Sequence, residues 1–463
     1  MEKLVINTSR EVIQVDRELI NNLSNLIKTQ ASQNILSIFT DIHPADIAEI
    51  INHLDPDDAT YAFLILDTET AGEVITELDE NLRDKILSRI DRQTITDIID
   101  ELDTDDATDI VSNLPDTIAE HVLDNIDEED SADVKELLKY PEDSAGGIMS
   151  SDFVYVGHKA TVKDAIRQVR LHAEDFENIY HIYVLKSDDT LVGVVGLKAL
   201  LINPLKKAVT EIMNEDLIYV SPYDDQEEVA EIMEKYDLVS VPVVNDKKQM
   251  LGRITIDDVI DVINEEATED IQKIAGLSEE QESSDSVFRI SRIRLPWLLI
   301  ALVMEFLAAI LLSSYEEFIK QFYIATFFIP VVMAMGGSSG TQAAIVMVRA
   351  IGTRDVWMKD NLKRLFKEFL VSILNGLACG TLLLIGTVLV FNNDTVSVNF
   401  AITLSLALLT IIIFATMVGA TIPLLMRKMG TDPAIATGPF VTTTNDILGL
   451  LIYLSFISVF FLS

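Results

Sequence analysis

Residues 400–426 read FAITLSLALLTIIIFATMVGATIPLLM, a run without a single charged side chain. A helix of about 20 apolar residues crosses the hydrocarbon core of a bilayer, so this stretch predicts a membrane span. Moving outward, four more stretches share its character: 295–313, 322–347, 369–391 and 435–462. Basic residues orient them. Arg289, Arg292 and Arg294 precede the first span. Arg349, Arg354, Lys359, Lys363, Arg364 and Lys367 fill the second loop, and Arg427 and Lys428 the fourth. The first loop has only Lys320 and the third has no basic residue. The positive-inside rule then places the N-terminal half in the cytoplasm and the C-terminus outside a multi-pass cell (inner or plasma) membrane. The opening MEKLVINTSREVIQ lacks the apolar core of a signal peptide, in line with a cytoplasmic start.

Charge divides the chain the same way. Its 463 residues include 74 acidic and 35 basic ones, net −39, yet the mean hydropathy is +0.28. From Ser291 onward there are 9 acidic and 11 basic residues, so residues 1–290 carry 65 against 24, net −41. An acidic polar half is joined to an apolar half. The acidity excludes a nucleic-acid binder, which needs basic stripes for the phosphates. The single cysteine, Cys379, excludes an internal disulfide and a Cys-rich metal site. None of the six histidines has the paired spacing of a zinc site, and no catalytic constellation is present, so the reading is not an enzyme.

The acidic half holds two repeat systems. Ile42, Leu54, Leu66, Leu78, Ile90, Leu102, Leu114 and Ile126 fall twelve residues apart, and Asp55, Asp67, Asp79, Asp91, Asp103 and Asp127 each follow one of them. An apolar residue, an Asp and a helix-forming run read as a turn ending in an N-cap. Units this short cannot bury their own apolar faces and must stack as a helical solenoid. Asp105 and Asp109 share one helix face at four-residue spacing, as a ligand pair or as a solvated pair. The second repeat sets Ile148-Met149, Asp152 and Val154-Tyr155-Val156 against Ile212-Met213, Asp216 and Ile218-Tyr219-Val220, 64 residues on. Each copy continues in β-α-β-β-α order, and the pair resembles tandem CBS domains. The ribose-binding signature that this resemblance implies is present once, as Gly252, Thr255 and Asp258. The first copy has Gly193, Gly196 and Ala199 there. ATP or another adenine nucleotide is therefore expected at one half-site.

Polar groups inside a membrane are costly and are functional candidates. Asp446 follows Pro439-Phe-Val-Thr-Thr-Thr-Asn445. Pro439 is expected to interrupt the helix, leaving Asp446 beside Thr442 and Thr443 to form an oxygen-lined cation site. The second span is expected to break at Gly336-Gly337-Ser338-Ser339-Gly340, although these small residues equally suit close helix packing. Glu305 lies in the first span, at an ion pathway or at a helix interface.

Taken together, the acidic helical domain, the CBS pair introduced by Tyr140-Pro-Glu-Asp-Ser-Ala-Gly-Gly-Ile-Met149, an acidic connecting helix and five spans resemble the MgtE-type magnesium transporters, also described as channels. The membrane motifs agree: the Gly-Gly…Gly-x-Gln stretch, Gly419 and Pro423, and Asp432-Pro433-Ala434. The resemblance implies a multidomain fold. It comprises an all-α helical-repeat domain over 1–137, an α/β tandem CBS pair over 138–264, a connecting (plug) helix over 265–288 and an all-α five-helix transmembrane domain over 289–463. It further implies a homodimer in membrane lipid, with the pore on the two-fold axis, lined by Gly438, Thr442 and Asn445 and holding Asp446 as its carboxylate. On this resemblance Mg²⁺ is expected both as cargo, entering the cytoplasm down its electrochemical gradient, and as regulator. The regulatory carboxylates implied are Asp105, Asp109, Asp225, Glu227, Asp237, Asp258, Asp261, Glu266 and Glu269. Ser338, Thr416 and Gly438 stand where the family usually shows Asn, which keeps a Mn²⁺ or Co²⁺ transporter open. A membrane-anchored Mg²⁺ or nucleotide sensor without transport is the other alternative.

Overall fold

The computed structural model describes residues 15, 17–40, 42–173, 176, 178–277, 286–352, 361–391, 398–436 and 438–462. Arg354 and Lys359 of the orientation argument lie outside them. The chain divides into two compact units, 1–265 and 266–463.

The first unit begins with ten short helices: α1 Arg17–Lys28, α2 Ser32–Phe39, α3 Pro44–Asn52, α4 Pro56–Leu64, α5 Thr68–Thr76, α6 Glu80–Leu87, α7 Arg92–Ile99, α8 Thr104–Asn113, α9 Asp116–Leu123 and α10 Glu128–Leu137. Helices two apart in sequence pack on each other, α3 on α5, α5 on α7, α7 on α9, α4 on α6 and α8 on α10. One continuous apolar core runs from Leu23 through Ile50, Ile75 and Ile98 to Val134. This is the solenoid that the twelve-residue period requires. All six repeat Asp residues occupy N-cap positions, but they satisfy the helices differently. Asp67 accepts from the Thr70 N–H at 3.0 Å, and Asp91 from Gln93 and Thr94. Asp55, Asp79, Asp103 and Asp127 make no side-chain cap bond. Two of these turns are tied instead from a distance, the Asp79 N–H to Asn52 Oδ1 and the Asp127 N–H to Asp100 Oδ1.

The α/β repeats follow: β1 Tyr155–Gly157, α11 Val162–Leu171, β2 His181–Leu185, β3 Leu191–Gly196, α12 Leu197–Ile202, α13 Gln226–Tyr236, β4 Ser240–Val244, β5 Met250–Thr255 and α14 Ile256–Ile274. In the first copy β1 pairs parallel with β2, and β2 antiparallel with β3. In the second, β4 pairs antiparallel with β5, and Val220 makes a parallel bridge to Val243. That bridge is the counterpart of β1, shortened to one residue. The solenoid is fastened to the first CBS copy at α8, where the Thr104 N–H and hydroxyl both donate to Asp152 Oδ2 at 3.0 Å.

The second unit takes up the last part of α14 and contains α15 Val287–Ser313, α16 Glu316–Gln321, α17 Ile329–Gly352, α18 Asn361–Val390, α19 Val398–Lys428 and α20 Pro439–Leu462. Among the described residues five helical stretches are long and apolar enough to span a membrane: Val287–Ser313, Tyr323–Ile351, Leu362–Val390, Val398–Lys428 and Phe440–Val459. Two expectations are corrected. The glycine-rich stretch does not break its span, since α17 is continuous through Gly336–Gly340. Its glycines serve close packing instead: a Cβ on Gly419 would lie 2.1 Å from the Gly340 carbonyl oxygen, and one on Gly340 1.8 Å from Asn445 Nδ2. Pro439 likewise interrupts nothing, because it is the first residue of α20, where its missing N–H has no helical partner to lose.

Candidate functional site

Helix α20 begins at Pro439, so Thr442 and Asp446, four residues apart, share one face of it. That face meets Gly337, Ser338, Thr341 and Gln342 of α17 around a cavity of about 550 Å³, which Met333 and Ala334 complete. The wall is mostly apolar, but Ser338, Thr341, Gln342, Thr442 and Asp446 place hydroxyl, amide and carboxylate oxygens on it, the ligand type that hard divalent cations and their waters take. The Thr341 and Thr442 hydroxyls lie 3.4 Å apart, and Thr442 also donates to the Gly438 carbonyl at 3.2 Å. Gly337 lies directly against this face, since a Cβ there would be in ordinary contact with Thr442 Cγ2 at 3.5 Å and Asp446 Oδ1 at 3.8 Å.

Two residues expected to line the pore do not line this cavity. Asn445 is one step round the helix from Asp446 and is 1% exposed, turned against Gly340 with neither amide atom hydrogen-bonded. Gly438 packs on the end of α14, where a Cβ would lie 2.8 Å from the Ile274 carbonyl oxygen. Glu305 had no polar neighbour along the chain, but the fold brings it within hydrogen-bonding reach of Asp446. Nothing in its local sequence points there; only the packing of α15 on α20 does.

In the first unit α8 presents Asp105 and Asp109 together, as the four-residue spacing predicts, and the start of α14 supplies Asp258. Asp105 Oδ1 is shut off from water with no hydrogen-bond partner. Burial first, then the neighbouring charges of Asp258, Asp106 and Asp103, push its carboxyl well above the usual range. Burial and Asp257 likewise raise Asp258, against the bonds it accepts from Thr255. Asp109 is pushed up to about 7 by the surrounding protein and by Glu142, with Arg83 opposing. Its side chain keeps solvent contact, so water screens part of that effect. An orphaned oxygen among carboxylates that resist ionisation is what a divalent cation relieves. Glu142 and Glu265 complete this acidic surrounding. Glu265, two turns beyond Asp258 on α14, was legible from spacing; Glu142 was not.

The other expected carboxylates do not join this group. Asp225 caps α13 and accepts the Glu227 N–H at 2.9 Å. Asp237 closes the far end of that helix in the left-handed conformation. The 11 residues of α13 separate the two ends by about 16 Å at 1.5 Å per residue, so they belong to different neighbourhoods. Asp261 is exposed on α14, and Glu266 lies one to two turns further along the same helix. Glu269 is paired with Lys273 Nζ at 2.7 Å. Among the described residues no three Asp, Glu, His or Cys side chains form a ready-made metal cluster.

The nucleotide signature has a structural component. Gly252 is required because a Cβ there would lie 2.5 Å from the Ser150 carbonyl oxygen. The Thr255 N–H and hydroxyl both donate to Asp258 Oδ2, at 3.0 and 2.7 Å. The carboxylate expected to meet a ribose therefore also faces Asp105.

Family models match nearly every part of this architecture: the MgtE intracellular N domain over 42–143, the CBS domain over 145–205 and 209–265, and the MgtE divalent cation transporter over 329–456. The chain is 35% identical to the magnesium transporter MgtE of Bacillus subtilis, over 72% of each chain. It is 36% identical to that of Thermus thermophilus, over 71% of this chain and 72% of the relative. The chain belongs to the MgtE family. The cytosolic domain of a Mg²⁺ channel MgtE, solved in complex with ATP, is similar to 52% of this chain and 99% of its own, with 31% identity and a TM-score of 0.50. Solenoid, CBS pair and apolar helices occur here in one chain.

Proposed function

We propose that this chain transports Mg²⁺ into the cytoplasm down its electrochemical gradient, as a homodimer with the pore on its two-fold axis. One observation carries the reading. Asp446, a carboxylate that a bilayer interior would otherwise exclude, stands with Ser338, Thr341, Gln342 and Thr442 at a cavity between α17 and α20, inside the region matched by the divalent cation transporter model. Mg²⁺ dehydrates reluctantly and keeps several waters. Two copies of Asp446 facing one ion, with Thr341, Thr442 and Ser338 around it, would balance its charge and bind it through those waters.

Gating by Mg²⁺ follows from the first unit. Carboxylates crowded at contact distance repel by roughly 1–4 kcal/mol per pair, depending on effective dielectric. A cation held by Asp105, Asp109 and Asp258 replaces that repulsion with attraction, and it shifts the gate only if it binds one state better than the other. Asp225, Glu227, Asp237, Asp261 and Glu266 are proposed as outer, weaker positions. The half-site of Gly252, Thr255 and Asp258 is proposed to take an adenine nucleotide. The N-terminal unit is proposed to lie in the cytoplasm, on the side where the basic loops gather.

The test is entry of Mg²⁺ into proteoliposomes with a Mg²⁺-free lumen, reported by a trapped indicator, with Mn²⁺ run in parallel. The wild type should admit Mg²⁺ and Asp446→Ala should not. Equal uptake by both proteins would remove Asp446 from the pathway. Absence of uptake by the wild type would leave a sensor. Faster Mn²⁺ than Mg²⁺ entry would change the assigned cargo.

A further inference from the structure

Helix α14 ends with Gly276 at φ 82°. The Gly276 N–H donates to the Lys273 carbonyl and the Leu277 N–H to that of Gln272, so the helix stops abruptly. Its terminus rests on the start of α20, where only a glycine fits: a Cβ on Gly438 would lie 2.8 Å from the Ile274 oxygen and 3.2 Å from the Gly276 nitrogen. Beside this contact the Lys273 ammonium lies 2.7 Å from Glu269 Oε1 and 2.8 Å from Asp432 Oδ2. The other oxygen of Asp432 accepts the Ala434 N–H at 2.8 Å, so this carboxylate also fixes the turn that leads into α20. Lys273 is 23% exposed and Asp432 32%, shielded enough from water for the pair to outweigh an ordinary surface ion pair.

We infer that Lys273 is a tethered cation that latches the connecting helix to the loop between α19 and α20, so that this joint closes without a divalent ion. While the latch is made, Glu269 is a partner of Lys273 in place of a Mg²⁺ ion. The inference deepens the proposed gating and rests on it for its consequence. Cation sensing is left to the carboxylates of the first unit, and this end of the connecting helix stays docked as a fixed pivot even in divalent-free solution, while the part nearer the first unit is free to respond. Removing the ammonium would free Glu269 and Asp432 to share a divalent ion, turning a permanent latch into a Mg²⁺-dependent one.

Hydrogen exchange of amides 272–277 in the full-length protein in nanodiscs tests this without any transport measurement. The wild type should be protected alike in EDTA and in millimolar Mg²⁺. Lys273→Gln and Asp432→Asn should exchange roughly tenfold faster or more in EDTA, Lys273→Gln should regain protection with Mg²⁺, and Lys273→Arg should stay protected throughout. Unchanged exchange in Lys273→Gln, or wild-type protection that itself needs Mg²⁺, would overturn the latch. Mg²⁺ uptake by the same proteins, with Asp446→Ala as the blank, separates that result from failure of the transport reading. If the wild type conducts and the latch variants exchange normally, only the latch is wrong.

Discussion

Asp105 shows how a single atom can hold the argument of a site. A buried carboxylate oxygen with no partner costs free energy whether it is charged or neutral, and the neighbouring Asp258 raises that cost. Replacing the charge should therefore help the protein when no cation is present. In EDTA at neutral pH, Asp105→Asn should raise the unfolding midpoint of the soluble unit, followed as loss of protease resistance in the full chain. Millimolar Mg²⁺ should raise the wild-type midpoint by several degrees or about 1–3 kcal/mol of linkage and the variant's far less. Equal Mg²⁺ responses would exclude Asp105 from the cation site. Asp446 differs, because Glu305 of α15 lies within hydrogen-bonding reach of it.

Among the elements, the three helices α17, α19 and α20 owe their closeness to missing side chains. Without a hydrophobic driving force between helices in lipid, association depends on van der Waals fit, and Gly340 and Gly419 bring two backbones into direct contact. A methyl at Gly419 must displace backbone, which has no rotamer to yield. Gly419→Ala should destabilise the folded unit by about 1–3 kcal/mol, seen as a lower detergent-denaturation midpoint, and should widen the separation that positions Thr341 against Thr442. Gly386, with open space around it, is the matched control: Gly386→Ala should be close to neutral. A Gly419→Ala protein as stable as the wild type would show that the helices can separate at no cost.

At the scale of the whole molecule, the acidic unit has an unusual relation to pH. Crowding by protein and Glu142 raises Asp109 to about 7, and burial followed by Asp152 and its neighbours raises Asp130 to about 6. Carboxyls raised on folding bind more protons in the folded than in the unfolded state, so stability falls as pH rises between the two values. In EDTA the unit should therefore lose stability from about pH 4 to about pH 7, opposite to the trend of salt-bridged carboxylates. Millimolar Mg²⁺ should flatten that decline by competing for the same oxygens. A midpoint that climbs steadily with pH in EDTA would refute the assignment. A net charge of −41 over residues 1–290 makes this a property of the entire acidic part, with single residues setting only the window.

The periods in the sequence determined most of the architecture. Twelve-residue spacing dictated a solenoid, because each unit lacked enough apolar surface to fold alone. The 64-residue repeat dictated paired α/β modules, and long apolar runs dictated five long helices. These features are local, written in the order of apolar and polar residues. The i,i+4 pair of Glu269 and Lys273 was equally legible as a spacing. Tertiary structure alone decided what faces what across long sequence separations. It brought Asp258 to Asp105, Glu305 to Asp446 and Asp432 to Lys273. It turned Asn445 away from the cavity that Asp446 enters, and made the glycine-rich span continuous. The physical reason is that periodicity fixes which face of a helix is apolar, whereas a carboxylate's partners depend on how helices approach one another, and that is set by the few small residues that let backbones touch.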